Sequence, residues 1–272
     1  MASPLVVSER SDGYLRVTFD NPPLNLMSPE TMIGLREVVD RLEADPAVKV
    51  VVFDSADEEF FLAHFDIVRG GEVPAEPGPS GLPYWADIVT RLTRAPFVSI
   101  AEIRGRARGI GSEFALACDM RFASRERAVF CQPEVGIGLI PGGGALEVLP
   151  RMVGRSRALE IALGAEDFDA ELAERYGWIN RALPDAELAT FVDRLARRIA
   201  SFEQAALVAT KALIDKRAGV PSDDERRETS QIFRESGTWP GTRKRIGEAV
   251  ARGLQQRGDF ELNLGARLGP AD

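Results

Sequence analysis

IRGRARGIGSEFALAC, residues 103–118, reads as a strand running into a glycine-bearing turn and then an apolar helix. Gly109 and Gly111 permit a tight turn and close approach of a ligand to the backbone. The N–H groups at such a helix start have no intrahelical partner and sit at the positive end of the macrodipole, so they can hold a carbonyl oxygen as it gains charge. A plain strand-to-helix turn, with glycines that only ease packing, has the same local pattern. The stretch does not complete GxGxxG, and the chain has no GxxxxGK followed by Ser or Thr, which disfavours those two modes of nucleotide binding.

On either side of this stretch, strand and helix alternate. Val48 to Phe53 and Phe97 to Ile103 are nearly continuous apolar runs, the mark of strands buried on both faces of a parallel or mixed sheet. Leu5 to Val7 and Tyr14 to Phe19 read as a strand pair across the Ser11-Asp12-Gly13 turn. The Pro/Asn loop DNPPLNLMSPE leads to a helix start at Ser28-Pro29-Glu30, with Leu35, Val38, Val39 and Leu42 on one face and an end near Asp45-Pro46. RGGEVPAEPGPSGLP, residues 69–83, is a Gly/Pro loop of the size that often covers a site, followed by a helix from Tyr84 to Arg94 that Ala95-Pro96 breaks. Alternation persists to about Leu163. Beyond it helices are expected at Leu172 to Arg175, Ala186 to Ala200, Ala205 to Arg217 and Ser222 to Ser236. The expected class is α/β, a β/α core followed by a helical appendage.

The chain has 272 residues, 44% hydrophobic and 28% charged, enough for one large core. A net charge of −8 disfavours a phosphate-tracking nucleic-acid binder, and Arg243-Lys244-Arg245 reads as a solvated helix face. Cys118 and Cys131 lack redox or zinc spacing and read as buried small residues, which suits a reducing compartment. MASPLVVSERSDG lacks the basic and apolar regions of a signal peptide, and no run of about 18 apolar residues occurs, so the expected location is the cytoplasm, with no membrane partner.

Glu113 falls in the first turn of the 103–118 helix, where a carboxylate can simply complement the helix dipole. Glu134 follows Pro133 at the end of a short strand, where an exposed loop glutamate would be ordinary. Together they bracket one β-turn-β passage, the arrangement needed when one group activates water and another donates a proton.

AEIRGRARGIGSEFALACDMRFA (101–123), AVFCQPEVGIGLIPGGG (128–144) and LPRMVGRSRALEIALG (149–164) resemble the signature core of the enoyl-CoA hydratase/isomerase (crotonase) superfamily. The likeness extends upstream through the 20–30 loop and FFLAHFDI (60–67), and downstream through AERYGWINR (173–181) and a helix bearing Lys211. The resemblance implies a spiral of ββα units over residues 1–200 and a C-terminal helical region over 201–272 that covers the site and carries oligomer contacts, the assembly being a homotrimer or a dimer of trimers. It implies an acyl-CoA thioester substrate whose oxygen is held by the backbone N–H groups of Phe65 and Ile110. Glu113 then helps activate the water that adds across the 2,3 double bond, and Glu134 protonates the α-carbon. Ala63, His64, Asp66, Ile67, Gly109, Gly111, Pro133 and Gly142 become substrate-binding positions, and Lys211 is either a partner for a CoA phosphate or a solvated lysine on its helix. No metal or cofactor is implied; coenzyme A enters as part of the substrate.

Some positions depart from the family pattern. Ala63-His64-Phe65-Asp66 replaces a segment that usually reads A-G-A-D, Ile110 replaces a glycine, and Gly144 to Arg151 replaces a run close to GGTQRLPR. His64, the chain's one histidine, is a candidate proton donor or substrate partner, or else a structural histidine packing its loop. Phe60, Phe61 and Phe65 read as core and pocket wall. A double-bond isomerase, a thioester or C–C hydrolase, and an idle acyl-CoA-binding protein stay open beside hydration.

Overall fold

The computed structural model describes residues 3–269. The chain opens with β1 (Leu5–Ser11), β2 (Tyr14–Phe19) and α1 (Pro29–Ala44), in which Ser28 Oγ caps the helix by accepting from Thr31 N. Then follow β3 (Val50–Ser55), β4 (Phe60–Leu62), α2 (Tyr84–Arg94), β5 (Val98–Ile103), β6 (Arg106–Arg108) and α3 (Ile110–Ala117). A third passage is β7 (Met120–Ser124), β8 (Val129–Cys131), α4 (Ala145–Val153) and α5 (Arg155–Gly164). β9 (Phe168–Asp169), α6 (Ala170–Tyr176) and β10 (Arg181–Leu183) complete the sheets, and α7 (Asp185–Ala200), α8 (Gln204–Ala218), α9 (Asp223–Ser236), α10 (Pro240–Ala251), α11 (Asp259–Leu262) and α12 (Leu264–Leu268) close the chain.

The strands divide between two sheets. One has the order β1-β2-β3-β5-β7-β10, parallel except for the first pair, and the other the order β4-β6-β8-β9. After the opening pair, which stays in the large sheet, each unit from β3 to α4 sends its first strand to the large sheet and its second to the small one before a helix returns, so the chain advances as the expected spiral of ββα units. Val50, Val51, Val52 and Phe53 of β3 are all fully buried, as strands covered on both faces should be.

The core meets the key helix at an aromatic cluster. Phe114 of α3 packs edge-on against Phe19 and Phe53, with ring centroids at 5.2 and 5.1 Å. Burying each such ring contributes about 1.5–3 kcal/mol, so α3 is pinned from below where its N-terminus must stay put.

The α1 and α2 expectations hold closely, and α7 to α9 start within about a residue of their expected positions. The region after Leu163 is less uniformly helical than expected, because β9 and β10 interrupt it. These strands are two and three residues long, too short for any periodicity to show. After Ser236 the sequence reading places only a helix face at Arg243-Lys244-Arg245, which lies inside α10, a helix that carries glycine twice; α11 and α12, absent from that reading, span four and five residues. No helix among the described residues is long and apolar enough to cross a membrane.

Candidate active site

Gly109 precedes α3 with φ at +50°, a left-handed conformation that favours glycine. A Cβ at Gly111 would lie 2.3 Å from the Leu62 carbonyl oxygen, so α3 rides directly on the backbone at the end of β4. This close approach sets the first turn of α3 beside the chain that leaves β4. There Met27 N donates to His64 O at 2.9 Å and Asp66 N to Met27 O at 3.2 Å, in a parallel bridge between Met27 and Phe65. That pattern turns the Phe65 N–H to the opposite edge. The Ile110 N–H belongs to the unpaired first turn of its helix. Neither donates to an acceptor among the described residues, and both residues line one cavity of about 380 Å³.

Glu113 and Glu134 face the same cavity, and both are buried. Glu113 Oε1 accepts from Gly143 N at 2.7 Å and Ala145 N at 3.2 Å, so the glycine run before α4 grips the carboxylate. Burial pushes the Glu113 carboxyl up to about 7; Glu147 adds to the rise, while the two backbone bonds and Arg226 oppose it. Glu134 begins a 3-10 turn, Glu134–Ile137, and accepts a 3.4 Å bond from Gln132 Nε2. Burial first, and then the Glu113 charge, hold the Glu134 carboxyl well above the usual range. The site therefore holds two water-poor carboxyls, both raised above the usual carboxylate range, next to two N–H donors without an acceptor among the described residues. Such a set can move protons at a carbon beside a carbonyl whose oxygen gains charge.

His64 has both ring nitrogens engaged by protein groups. Nδ1 donates to Phe65 O at 2.9 Å, and Nε2 lies 2.8 Å from Glu261 Oε1. Burial alone would lower its pKa, but the Glu261 carboxylate outweighs it and the value lies above the ordinary histidine range. Glu261 is correspondingly held below the usual carboxylate range, its own burial being overcome by His64 and the Gln255 N–H. The imidazole edge still lines the cavity, with no ring nitrogen left to meet a substrate.

The cavity also gathers Ile67, Pro133 and Gly142 of the anticipated binding positions. Ala63, Asp66, Gly109 and Gly111 do not line it. Ala63 is fully buried against Leu24 and Phe60, and Asp66 Oδ1 accepts from Arg69 N and Gln255 Nε2 at 3.1 and 2.7 Å. Gly109 and Gly111 serve through conformation and close packing. Phe60 and Phe61 are fully buried, and Phe65 forms part of the cavity wall. Lys211 lies away from the cavity, where it donates to Asp119 Oδ2 and Phe97 O, both at 2.9 Å, and ties α8 to the sheet. Cys118 and Cys131 are free and buried.

Several contributors are invisible in the linear pattern. Trp85 Nε1 donates to Gly143 O at 3.1 Å, and a Cβ on Gly143 would meet both that nitrogen and Glu113 Oε2 within 2.6 Å. Phe233 of α9 lies where a Gly142 side chain would be, 2.3 Å from the would-be Cβ. The PGGG run was a signal for this crowding; nothing local marks Phe233, Gln255 or Glu261. From the 69–83 loop, Gly70, Val73, Pro74 and Pro83 reach the cavity wall.

The chain belongs to the enoyl-CoA hydratase/isomerase family, whose model matches residues 9–244. It is similar to a provisionally assigned enoyl-CoA hydratase from Streptomyces avermitilis, a solved structure with 44% identity, a TM-score of 0.92, and coverage of 100% of this chain and 99% of that one. Among curated relatives, it is 30% identical over 228 residues to crotonyl-CoA hydratase from Syntrophomonas wolfei, covering 83% of this chain and 86% of the relative. It is 31% identical over 212 residues to short-chain-enoyl-CoA hydratase from Clostridium acetobutylicum, covering 78% and 81%.

Proposed function

We propose that the protein is a lyase that adds water across the 2,3 double bond of an enoyl-CoA. The observation that carries this reading is the pair of buried carboxyls, Glu113 and Glu134, on one cavity with the unpaired Phe65 and Ile110 N–H groups. Glu113, with its pKa near neutrality, takes a proton from water as the water oxygen bonds to C3. The electron pair of the double bond moves toward the thioester, whose oxygen is held by the two N–H groups as an enolate forms. Glu134, whose carboxyl is held well above the usual range by burial and then by the Glu113 charge, delivers its proton to C2. Proton exchange between the two carboxyls and solvent then restores the starting state. No metal or redox cofactor enters this scheme, and coenzyme A arrives as part of the substrate. Relatives named crotonyl-CoA hydratase and short-chain-enoyl-CoA hydratase support the choice of reaction.

Two further parts of the reading concern the helices from residue 201 onward. They form the cover of the site, supported by Phe233, Leu254, Leu264 and Leu268 in the cavity wall. They also carry the contacts of a homotrimer or dimer of trimers, supported by α8, none of whose residues is buried in the single chain.

The test is loss of the conjugated thioester's ultraviolet absorbance when purified protein meets crotonyl-CoA and a medium-chain trans-2-enoyl-CoA. Turnover is expected, with Glu134→Gln lowering kcat about 10²- to 10⁴-fold, the usual worth of a positioned acid. Full activity in both Glu134→Gln and Glu113→Gln would sink the mechanism. Tight binding of the ester with no absorbance loss would move the assignment to isomerase or hydrolase chemistry.

A further inference from the structure

The C-terminal segment bonds to both arms of the paired N–H groups. On the first arm, Gln255 Nε2 donates to Asp66 Oδ1 at 2.7 Å, and Gln255 Oε1 accepts from Val68 N at 3.1 Å. The Gln255 backbone has φ at +66°, a conformation rare for a residue with a side chain, and its N–H donates to Glu261 Oε1. That same oxygen faces His64 Nε2, while His64 Nδ1 holds the Phe65 carbonyl. The segment around Phe65 is thus tied to Gln255 directly, at the Asp66 side chain and the Val68 N–H, and to Glu261 through the neighbouring His64.

On the second arm, the Glu261 carbonyl accepts from Arg108 Nη1, and the Leu262 carbonyl accepts from Arg106 Nε at 2.9 Å and Arg108 Nη2 at 3.2 Å. Arg106 and Arg108 begin and end β6, and the next residues are Gly109 and Ile110. Arg108 is fully buried and paired with Asp167 at 2.7 Å, so this attachment is stiff. Eight residues, 255–262, therefore bridge the strand that leads into one donor, Ile110 at the start of α3, and the loop that carries the other.

A contribution to stability alone explains this poorly. Glu261 is fully buried, and its Oε2 has no hydrogen-bond partner among the described residues, a costly arrangement that an apolar side chain would avoid. Gln255 and Glu261 also lie beyond the part of the chain that the family model matches, which ends at residue 244. We propose that Gln255 and Glu261 are positioning residues that set the separation of the Phe65 and Ile110 N–H donors. The inference rests on the oxyanion role proposed above for those donors.

The full-length Gln255→Ala, Glu261→Ala and Glu261→Gln proteins test it, with crotonyl-CoA for turnover and bound cinnamoyl-CoA as a reporter of carbonyl polarisation. Misplacing a catalytic donor by about 1 Å costs on the order of a hundredfold, so both alanine variants should lose about ten- to hundredfold in kcat with KM within about threefold. The red shift of bound cinnamoyl-CoA should shrink in parallel. Glu261→Gln, which keeps an acceptor for the Gln255 N–H and a partner for His64, should recover most of both. Because Gln255 is only half buried, its variant should stay folded even if Glu261→Ala does not. Wild-type kcat and red shift in folded Gln255→Ala overturn the proposal, as does a loss in all variants that merely follows their melting temperatures. If the wild-type chain neither hydrates crotonyl-CoA nor shifts cinnamoyl-CoA, the hydratase reading fails, and amide hydrogen exchange then decides the clamp. Faster exchange of residues 63–70 in the alanine variants supports it, and wild-type rates refute it.

Discussion

Glu113 and Glu134 are carboxyls that the fold holds out of water, and that placement works against the stability of the folded state. Both have pKa values raised on folding, Glu113 from 4.5 to about 7, and Glu134 well above the usual carboxylate range through burial and then the Glu113 charge. Between the unfolded and folded values the native state binds more protons than the unfolded chain, so stability falls as pH rises through that window. Below about pH 4.5 both states are protonated and the effect vanishes. A shift of this size corresponds to a few kcal/mol, and about 1 kcal/mol moves Tm by roughly 2–4 °C in a chain this long. Glu134→Gln, which removes one of the two raised carboxyls, should therefore melt within a degree of wild type near pH 4.5 and several degrees higher near pH 8. Melting curves across that range decide it: an offset that stays constant with pH, or shrinks as pH rises, would refute the electrostatic account. The two residue types and their spacing were visible in the sequence. Their burial, which raises the pKa values, was not, because it depends on Gly143, Trp85 and Phe233 arriving from other elements.

At the scale of elements, α3 carries the argument. Its start, its glycine turn and Glu113 in its first turn were legible from residues 103–118, because a strand-turn-helix passage is a local property. Why Gly111 has no side chain was not legible: the reason is the Leu62 carbonyl, 2.3 Å from where a Cβ would sit. Alanine is worth up to about 1 kcal/mol more than glycine within a helix. Here the backbone overlap should outweigh that gain. Gly111→Ala is expected to destabilise the protein by about 1–3 kcal/mol in urea unfolding and to lower kcat more than it raises KM, since moving α3 moves the Ile110 N–H. Stabilisation with unchanged kcat would show that α3 does not depend on this contact. The short β9, β10, α11 and α12 are the elements that sequence reading missed, and each is held by tertiary pairing rather than by its own pattern.

For the whole molecule, the proposed assembly makes a direct demand on α8. Leu213 and Ile214 are 51% and 59% exposed in the single chain, while Lys211 on the same helix is tethered to Asp119. Replacing two exposed residues with aspartate should change the stability of a free monomer by no more than about 1 kcal/mol. In a trimer whose α8 is covered, the double variant Leu213→Asp, Ile214→Asp should shift sedimentation toward the monomer. A wild-type protein that already sediments as a monomer would end the oligomer proposal.

By itself, the sequence determined the α/β class, the order of the main strands and helices, the turn before α3, and the two glutamates on either side of one β-turn-β passage. These follow from periodicity, turn residues and motif spacing, which act within a few residues of one another. Only the tertiary structure decided that His64 has both nitrogens engaged, that Lys211 braces α8, that Asp66 faces away from the cavity, and that Gln255 and Glu261 reach the Phe65 loop. Each depends on hydrogen-bonding groups 90 to 200 residues apart in the chain. Hydrogen bonds form only when atoms approach within about 3 Å, and no linear pattern encodes that distance.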